Sequence, residues 1–279
     1  MNIGDWQIRS WTSGMFRLDG GAMFGVVPRN LWARVAPPDE ENRISMAMRT
    51  IVARGNGKTV IVDTGAGTGY GEKFERIYAF DAAVTPAVGL GRLGVTPEEV
   101  TDVIVTHLHF DHGGGAVVRS GGGWRLAFPN AAYHVQTAQW EHALHPNPRD
   151  KASYFRDRIE PIEKEGALAL HDGEWNLAPG LDVLAFHGHT PGQHLPIFRD
   201  AKHALFFCGD LIPTAAHVPT AYIMAYDVDP ILAMSEKTEV LERAARENWI
   251  LFFEHDPHLE ACRVRFDDGR VTQGDPVDV

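Results

Sequence analysis

Short runs of β-branched and apolar residues alternate with turn residues along most of the chain. Residues 49–54 and 58–63 are two such runs, and Gly55, Asn56 and Gly57 between them predict a β-hairpin. The same pattern predicts five further strands, at residues 132–136, 181–186, 204–208, 250–253 and 262–266. The chain is therefore rich in short strands.

Helical periodicity is clearest after Asp229-Pro230. It predicts a helix with an apolar face made of Ile231, Met234, Leu241 and Ala245. The polar face consists of Glu236, Lys237, Glu239, Glu242 and Arg243. A capping box at residues 96–99 predicts a helix start ahead of the apolar strand at residues 103–106. Strands punctuated by helices indicate a layered α/β architecture with buried sheets. Residues 65–94 show no clear pattern.

Composition narrows the possible partners and compartments. The 279 residues are 44% hydrophobic, enough for one large core, so we expect a single domain over residues 1–279. A formal charge of -11 disfavours nucleic acid and anionic membranes as partners. Two cysteines, Cys208 and Cys262, form no disulfide framework, and we find neither a secretion signal nor an apolar run of membrane-spanning length. We therefore expect a cytoplasmic protein.

The segment T-H-L-H-F-D-H-G-G-G, residues 106–115, concentrates metal-binding side chains directly after a predicted strand. His107 and His109 alternate along the chain and can face one point, and Asp111 and His112 follow in the turn. Imidazoles with a carboxylate suit zinc and its neighbours, whereas calcium or magnesium would require mostly oxygen ligands. We expect the glycines at 113–115 to let the backbone turn tightly.

Three residues at predicted strand ends can complete such a site. His189 precedes a Thr-Pro-Gly turn, and Asp210 ends an apolar strand where an unpaired carboxylate would be costly without a cation. His255 has the same kind of position, although His258, three residues on, can replace it.

Taken together, these motifs resemble the metallo-β-lactamase superfamily. The resemblance rests on H-x-H-x-D-H at residues 107–112, G-H-T-P-G at 188–192, G-D at 209–210, the late His255 and the early V-D-T-G at 62–65, in the family's order. It implies an αββα sandwich of two mixed sheets with metals at one edge. Residues 18–28, L-D-G-G-A-M-F-G-V-V-P, are similar to the N-terminal signature of YtnP-type quorum-quenching lactonases, and methyl parathion hydrolases are similar neighbours.

The resemblance implies two divalent transition-metal ions, zinc by default, with iron, manganese or cobalt compatible with the same ligands. His107, His109 and His189 would hold the first ion, and Asp111, His112 and His255 the second. Asp210 would bridge them, and a hydroxide shared by both ions would be the nucleophile. Asp63 would accept a hydrogen bond from a ligand histidine and orient it.

The sequence departs from familiar acyl-homoserine lactonases at one position. Those enzymes carry a tyrosine three residues after the bridging aspartate, where this chain has Pro213. His217 is our first choice as a catalytic substitute, followed by Tyr222 and Tyr226.

The N-terminal apolar residues suggest a substrate pocket. Met23 and Phe24, with Tyr222, can line an acyl pocket. The apolar cluster that Met23 and Phe24 form with Leu31 and Trp32 can equally belong to the core or to a homodimer contact.

We therefore predict a metal-dependent hydrolase that opens lactone rings, with N-acyl-homoserine lactones as the expected substrates. Phosphotriesters and thioesters are the alternatives, because the same metal-activated nucleophile can attack them. A flavodiiron redox protein would need a flavin domain for which the chain has no room, and the acidic charge disfavours a nucleic-acid-processing enzyme.

Overall fold

The computed structural model describes residues 1–81 and 84–279. The strands in chain order are β1 (Asn2–Ile3), β2 (Trp6–Asp19), β3 (Arg43–Gly55), β4 (Lys58–Val62), β5 (Asp102–Ile104), β6 (Val117–Ser120), β7 (Gly123–Leu126), β8 (Ala132–Gln136), β9 (Leu168–His171), β10 (Trp175–Ala178), β11 (Leu181–Phe186), β12 (Gln193–Arg199), β13 (Ala204–Phe207), β14 (Ile250–Phe252), β15 (Ala261–Asp267) and β16 (Arg270–Pro276). The helices are α1 (Gly20–Phe24), α2 (Arg29–Trp32), α3 (Glu72–Ile77), α4 (Pro86–Arg92), α5 (Phe110–Gly113), α6 (Thr137–Leu144), α7 (Arg156–Lys164) and α8 (Pro230–Glu247).

Two mixed sheets form the centre of the molecule. One runs in the order β1-β2-β3-β4-β5-β8-β9 and the other in the order β10-β11-β12-β13-β14-β15-β16. The first contains parallel pairs from β4 to β9, and the second contains the parallel pair β13–β14. A separate hairpin, β6–β7, lies beside them. This arrangement confirms the predicted αββα sandwich.

Of the four apolar clusters among the described residues, three fill the layers of the sandwich. The central one joins the facing sides of the sheets, for example Ile51 and Val62 from the first with Phe207 and Phe252 from the second. A second cluster covers the outer side of the first sheet with residues of α4, α6 and α7, and a third covers the second sheet with α8. One strand can contribute to two clusters, because successive side chains point to opposite faces of the sheet.

The predicted hairpin and strands are confirmed with small changes in their limits. β3 and β4 pair antiparallel up to Gly55 and Lys58, so the turn is Asn56-Gly57, and both residues have positive φ, 50° and 73°. That is the two-residue turn whose twist matches the strands. The capping box is also present, but it starts a 3₁₀ turn at Pro97–Glu99 rather than a longer helix.

Helix α8 begins where predicted, and Leu241 is buried while Glu239 and Glu242 are exposed, but the predicted faces are wrong at two positions. Ile231 is 71% exposed, whereas Lys237, assigned to the polar face, is fully buried. The Lys237 ammonium donates hydrogen bonds to the backbone carbonyls of His217, Pro219 and Tyr222, at 3.1, 3.1 and 2.8 Å. A buried cation is tolerated when all its donors are satisfied. The lysine therefore joins α8 to the loop at residues 217–222.

A polar network ties the parallel strands of the first sheet together. The carboxylate of Asp102 accepts from Lys58 Nζ at 2.9 Å, Thr101 Oγ1 at 2.6 Å and His134 Nε2 at 2.9 Å. Burial alone would raise the pKa of Asp102, but the hydrogen bonds from His134, Thr101 and Lys58 lower it to about 2. The ionised carboxylate therefore stabilises the fold at neutral pH.

The segment 65–94, which the sequence left unassigned, contains α3 and α4 and reaches the edge of the sandwich where the predicted ligands lie. Residues 82 and 83 of this segment lie outside the described residues. Across 1–81 and 84–279, no helix is both long and apolar enough to cross a membrane.

Candidate metal centre

Four predicted ligands converge on a first point. The potential ligand atoms of His107, His109, His189 and Asp210 all lie within 4.8 Å of one another. His109 Nδ1 is 2.9 Å from His107 Nε2 and 3.3 Å from His189 Nε2. His189 Nε2 is 3.2 Å from Asp210 Oδ2. All four residues are at least nine-tenths buried.

The other three predicted ligands converge on a second point beside the first. Asp111, His112 and His255 form a group with the same 4.8 Å limit, and the Nε2 atoms of His112 and His255 are 3.1 Å apart. Asp210 faces this group too, because its Oδ1 is 3.1 Å from His255 Nε2 and its Oδ2 is 3.5 Å from His112 Nε2. The position of Asp210 is the one that a bridging ligand requires.

Each group is assembled from strand ends at one edge of the sandwich. The residues 107–112 follow β5, His189 follows β11, Asp210 lies in a 3₁₀ turn after β13, and His255 follows β14. Because β13 and β14 are parallel neighbours, their carboxyl ends deliver Asp210 and His255 to the same place. The topology thus explains why ligands so distant in sequence meet.

The outward nitrogens of His255 and His189 are occupied by the protein. His255 Nδ1 donates to the carbonyl of Ala47 at 2.7 Å, and His189 Nδ1 lies 2.9 Å from Asp227 Oδ1. An acceptor on Nδ1 places the proton there and leaves the lone pair of Nε2 directed at the centre. These contacts orient the imidazoles for metal binding.

Asp63 lies behind His112, and its backbone has an unusual conformation. Its φ is 55°, a value that non-glycine residues seldom adopt. Its oxygens accept from Thr106 N at 2.7 Å and Thr106 Oγ1 at 2.6 Å, and Oδ2 lies 3.0 Å from His112 Nδ1. Backbone strain held in place by such contacts is typical of functional sites.

The glycines after His112 serve a different purpose from the one expected. Gly113 and Gly114 have negative φ, -98° and -65°, so the backbone there does not require glycine for its conformation. The requirement is space, because a Cβ on Gly114 would lie 2.4 Å from the Ala66 carbonyl oxygen and one on Gly115 would lie 2.3 Å from that of Thr64. The ligand turn packs directly on the backbone that follows Asp63.

Burial and neighbouring charges shift the pKa values of the ligand side chains in different directions. Burial, with the neighbouring imidazoles, lowers the pKa of His107 and His109 well below the usual range, so both are neutral and can donate a lone pair. Burial acts in the same direction on His255, but the Asp210 carboxylate outweighs it and raises the pKa of His255 to about 9. Against the same burial penalty, nearby histidines hold the pKa of Asp210 well below its usual range.

The donor set fits transition-metal ions. Several imidazole nitrogens face one another at about 3 Å, and the buried Oδ1 of Asp210, which faces His255, has no hydrogen-bond partner of good geometry among the described residues. Nitrogen ligands with carboxylate oxygens suit zinc and other first-row ions. The chain therefore contains buried His/Asp groups able to bind metal ions.

A cavity of about 310 Å³ opens onto both groups. His109, Asp111, His189, Asp210 and His255 form its floor. Its walls are mostly apolar and aromatic, and include Met23, Met46, Tyr78, Phe110, Met224 and Tyr226. Enclosed apolar walls around a few polar groups are typical of small-molecule sites.

The structure separates the predicted pocket residues. Met23 lines the cavity, but Phe24 lies behind it, fully buried and stacked on His217 with ring centroids 4.5 Å apart. Tyr222 packs edge-on against Phe24 at 5.9 Å and does not line the cavity. Tyr226 does line it.

His217, our first choice to replace the missing tyrosine, is placed away from the cavity. Its Nε2 donates to the Met23 carbonyl at 2.9 Å, and its Nδ1 lies 2.7 Å from Thr214 Oγ1. Burial lowers its pKa to about 3, so the ring is neutral with both nitrogens engaged. The position of the missing tyrosine, Pro213, instead accepts a hydrogen bond from the backbone of His255 at 3.1 Å.

His258, the alternative to His255, is exposed and belongs to neither ligand group in the described part of the chain. Sequence reasoning also missed three residues at the site. Tyr78 lies in the segment without a clear pattern, and Asp227 follows the cavity residue Tyr226 in a loop. Glu254 was detectable, because an acidic residue directly after the apolar run at residues 249–253 is unusual.

Comparisons with known proteins support the geometry. The family model described as "Metallo-beta-lactamase superfamily" matches residues 49–255. The N-acyl homoserine lactonase AiiA of Bacillus thuringiensis subsp. kurstaki is 32% identical over 177 residues, which cover 63% of this chain and 64% of that enzyme. The chain thus matches less than two thirds of that relative's length.

Solved structures agree with this match. A probable metal-dependent hydrolase from Staphylococcus aureus has a TM-score of 0.90 at 28% identity, covering 99% of this chain and 100% of that one. AidC, described as a dizinc quorum-quenching lactonase, shares the fold with a TM-score of 0.79 at 19% identity, covering 100% of this chain and 97% of AidC. With its family match, its sandwich of two mixed sheets and its buried histidine and aspartate groups, the chain belongs to the metallo-β-lactamase superfamily.

Proposed function

We propose that this chain hydrolyses the ring ester of N-acyl-homoserine lactones with two divalent metal ions. His107, His109 and His189 would hold the first ion and Asp111, His112 and His255 the second, with Asp210 between them. When bound, the two ions, zinc by default, would activate a water molecule for attack and polarise the lactone carbonyl.

The observation that carries the proposal is an apolar cavity that opens onto both ligand groups at once. A lactone ring presents its carbonyl and ring oxygens close together, so both can face the polar floor. An acyl chain can then lie along the side chains of Met23, Met46 and Met224. Each methylene buried there would contribute about 0.8 kcal/mol, or roughly fourfold in affinity.

The net charge of the chain also favours a neutral substrate. At -11 the long-range field would disfavour anionic thioesters and β-lactam carboxylates but would leave acyl-homoserine lactones unaffected. The similarity to AiiA points to the same substrate class.

Tyr226 is our choice for the group that donates to the substrate. It lines the cavity, unlike His217 and Tyr222. A tyrosine hydroxyl keeps its proton at neutral pH, so Tyr226 can donate a hydrogen bond to the lactone carbonyl.

The metal content is tested first. Elemental analysis after metal-replete expression should find close to two transition-metal ions per chain, because each group offers three ligands besides Asp210. His107→Ala should lose metal and hydrolysis together, whereas His203→Ala, at an exposed histidine, should change neither. One ion per chain with full hydrolysis would contradict the dinuclear model.

The substrate class is tested by kcat/KM for short-chain lactones, long-chain lactones and a paraoxon-like phosphotriester. We expect lactone turnover that rises with acyl length and changes little with salt, and a slower triester reaction. Met224→Ala should flatten the dependence on acyl length, whereas Met234→Ala, on α8 away from the cavity, should not. Absence of lactone turnover, or preference for the triester by more than about tenfold, would favour a phosphotriesterase.

A further inference from the structure

Glu254 is a buried acid that the proposed chemistry does not use. It lies directly after Phe253 and before His255, and it is fully buried. Its Oε2 is 3.0 Å from Nδ1 of His112. The same nitrogen is 3.0 Å from Oδ2 of Asp63, so one imidazole nitrogen faces two carboxyl groups.

The two carboxyl groups are not equivalent. Asp63 receives two hydrogen bonds from Thr106 in addition to its contact with His112. Neither oxygen of Glu254 has a hydrogen-bond partner of good geometry among the described residues. The interaction of Glu254 with its surroundings is therefore dominated by the His112 imidazole.

The backbone fixes Glu254 in this position. Its carbonyl accepts from Arg49 N at 3.1 Å, and the preceding carbonyl of Phe253 accepts from the buried Arg49 guanidinium at 2.7 Å. On the other side, the His255 carbonyl accepts from Ala47 N at 3.0 Å. Three consecutive residues are thus anchored to β3, which fixes the backbone from which the Glu254 side chain extends to His112.

Packing alone does not account for an acid at this place. A buried carboxyl with no hydrogen bond is costly, and an apolar or small residue would avoid that cost. The cost is offset where the carboxyl acts on a cation through an intervening imidazole, since an acceptor behind Nδ1 makes Nε2 a stronger ligand. Nε2 of His112 is the atom that faces Asp111, Asp210 and His255.

We propose that Glu254 is a positioning residue that, together with Asp63, holds the Nδ1–H of His112 and strengthens metal binding at the second group. The group formed by His107, His109 and His189 has no contact with Glu254, so its affinity should not depend on this acid. The inference rests on the proposed metal centre but not on a lactone as the substrate.

The test is stepwise binding of Zn²⁺ to metal-stripped protein in competition with a chromophoric chelator. Glu254→Gln keeps the shape of the side chain and replaces its carboxyl with an amide. Partners of this kind change metal affinity by about 10–100-fold, so we expect one binding step to lose about tenfold or more while the other step stays within about twofold. Glu260→Gln is the matched control, because it removes a half-buried acid of the same segment that contacts Arg49 rather than His112.

A spectroscopic measurement separates positioning from general destabilisation. In the zinc-loaded protein, the Nδ1–H proton resonance of His112 should shift in Glu254→Gln and stay unchanged in Glu260→Gln. The double variant of Asp63→Asn with Glu254→Gln should lose less affinity than the sum of the single losses, because both acids act on one N–H.

Three results would overturn the inference. Glu254→Gln could bind both ions as the parent does with an unshifted His112 resonance, which would make Glu254 a packing residue. Both binding steps could weaken equally, alongside a lowered Tm, which would make its effect structural. A parent protein that binds no Zn²⁺ would refute the metal centre as well, whereas failure of lactone turnover alone would refute only the proposed substrate.

Discussion

The close packing of the ligand turn on the segment after Asp63 makes a sharp prediction for two neighbouring glycines. Gly115→Ala would place a Cβ 2.3 Å from the Thr64 carbonyl oxygen, about 1 Å inside ordinary contact. Gly113→Ala would place its Cβ 3.4 Å from a methyl group of Val105, which is ordinary contact. The two variants make the same chemical change two positions apart.

The magnitude follows from what must move. In Gly115→Ala the Thr64 backbone has to shift. The hydrogen bond that the Thr64 N–H donates to the His112 carbonyl, at 2.8 Å, is then weakened. Overpacking costs about 1–3 kcal/mol and a weakened hydrogen bond about 1 kcal/mol, so we expect a loss of about 3 kcal/mol. Gly113→Ala should stay within about 1 kcal/mol of the parent, because its φ of -98° suits alanine.

Thermal and urea unfolding of both variants, in metal-free and zinc-loaded protein, measure this difference. A loss of about 3 kcal/mol corresponds to a fall in Tm of roughly 5–10 °C for a chain of this size. Zinc binding at the second group should also weaken in Gly115→Ala, because Thr64 adjoins Asp63. Equal stability of the two variants would refute the steric explanation for the glycines.

Three further predictions concern the site and the fold. Tyr226→Phe should lower kcat for lactones by about tenfold or more with little change in KM, whereas Tyr222→Phe should leave kcat unchanged; equal kcat values for both would refute the role given to Tyr226. His255→Ala should lower metal content and hydrolysis together and His258→Ala neither, and the reverse result in metal analysis would move the ligand by three positions. Asp102→Asn should destabilise the metal-free fold by about 2 kcal/mol at neutral pH, because the pKa of Asp102 is lowered from 3.8 to about 2. This stability is present above about pH 4 and is lost as the pH falls toward 2. A difference in urea unfolding between variant and parent that persists below about pH 2 would contradict this origin.

The sequence by itself determined the strands and the groups of metal-binding residues. Alternating apolar residues and the Asn56-Gly57 turn are local signals, and the structure contains the hairpin they predict. The spacing of His107, His109 and His112 is also local, because a strand end followed by a short turn directs alternate side chains to one side. Family resemblance supplied the remaining members, and the structure brings all seven together.

Tertiary structure alone decided the contacts between residues far apart in the chain. His112 and His255 meet across 143 positions, and Glu254 arrives beside His112 only because the two sheets pack face to face. Periodicity could not show that Lys237 is buried, because three loop carbonyls from outside its helix satisfy it. Nor could it show which tyrosines line the cavity. The sequence pattern of a segment indicates the conformation which that segment prefers. The burial, hydrogen-bond partners and pKa of a residue depend instead on which other segments the fold packs against it.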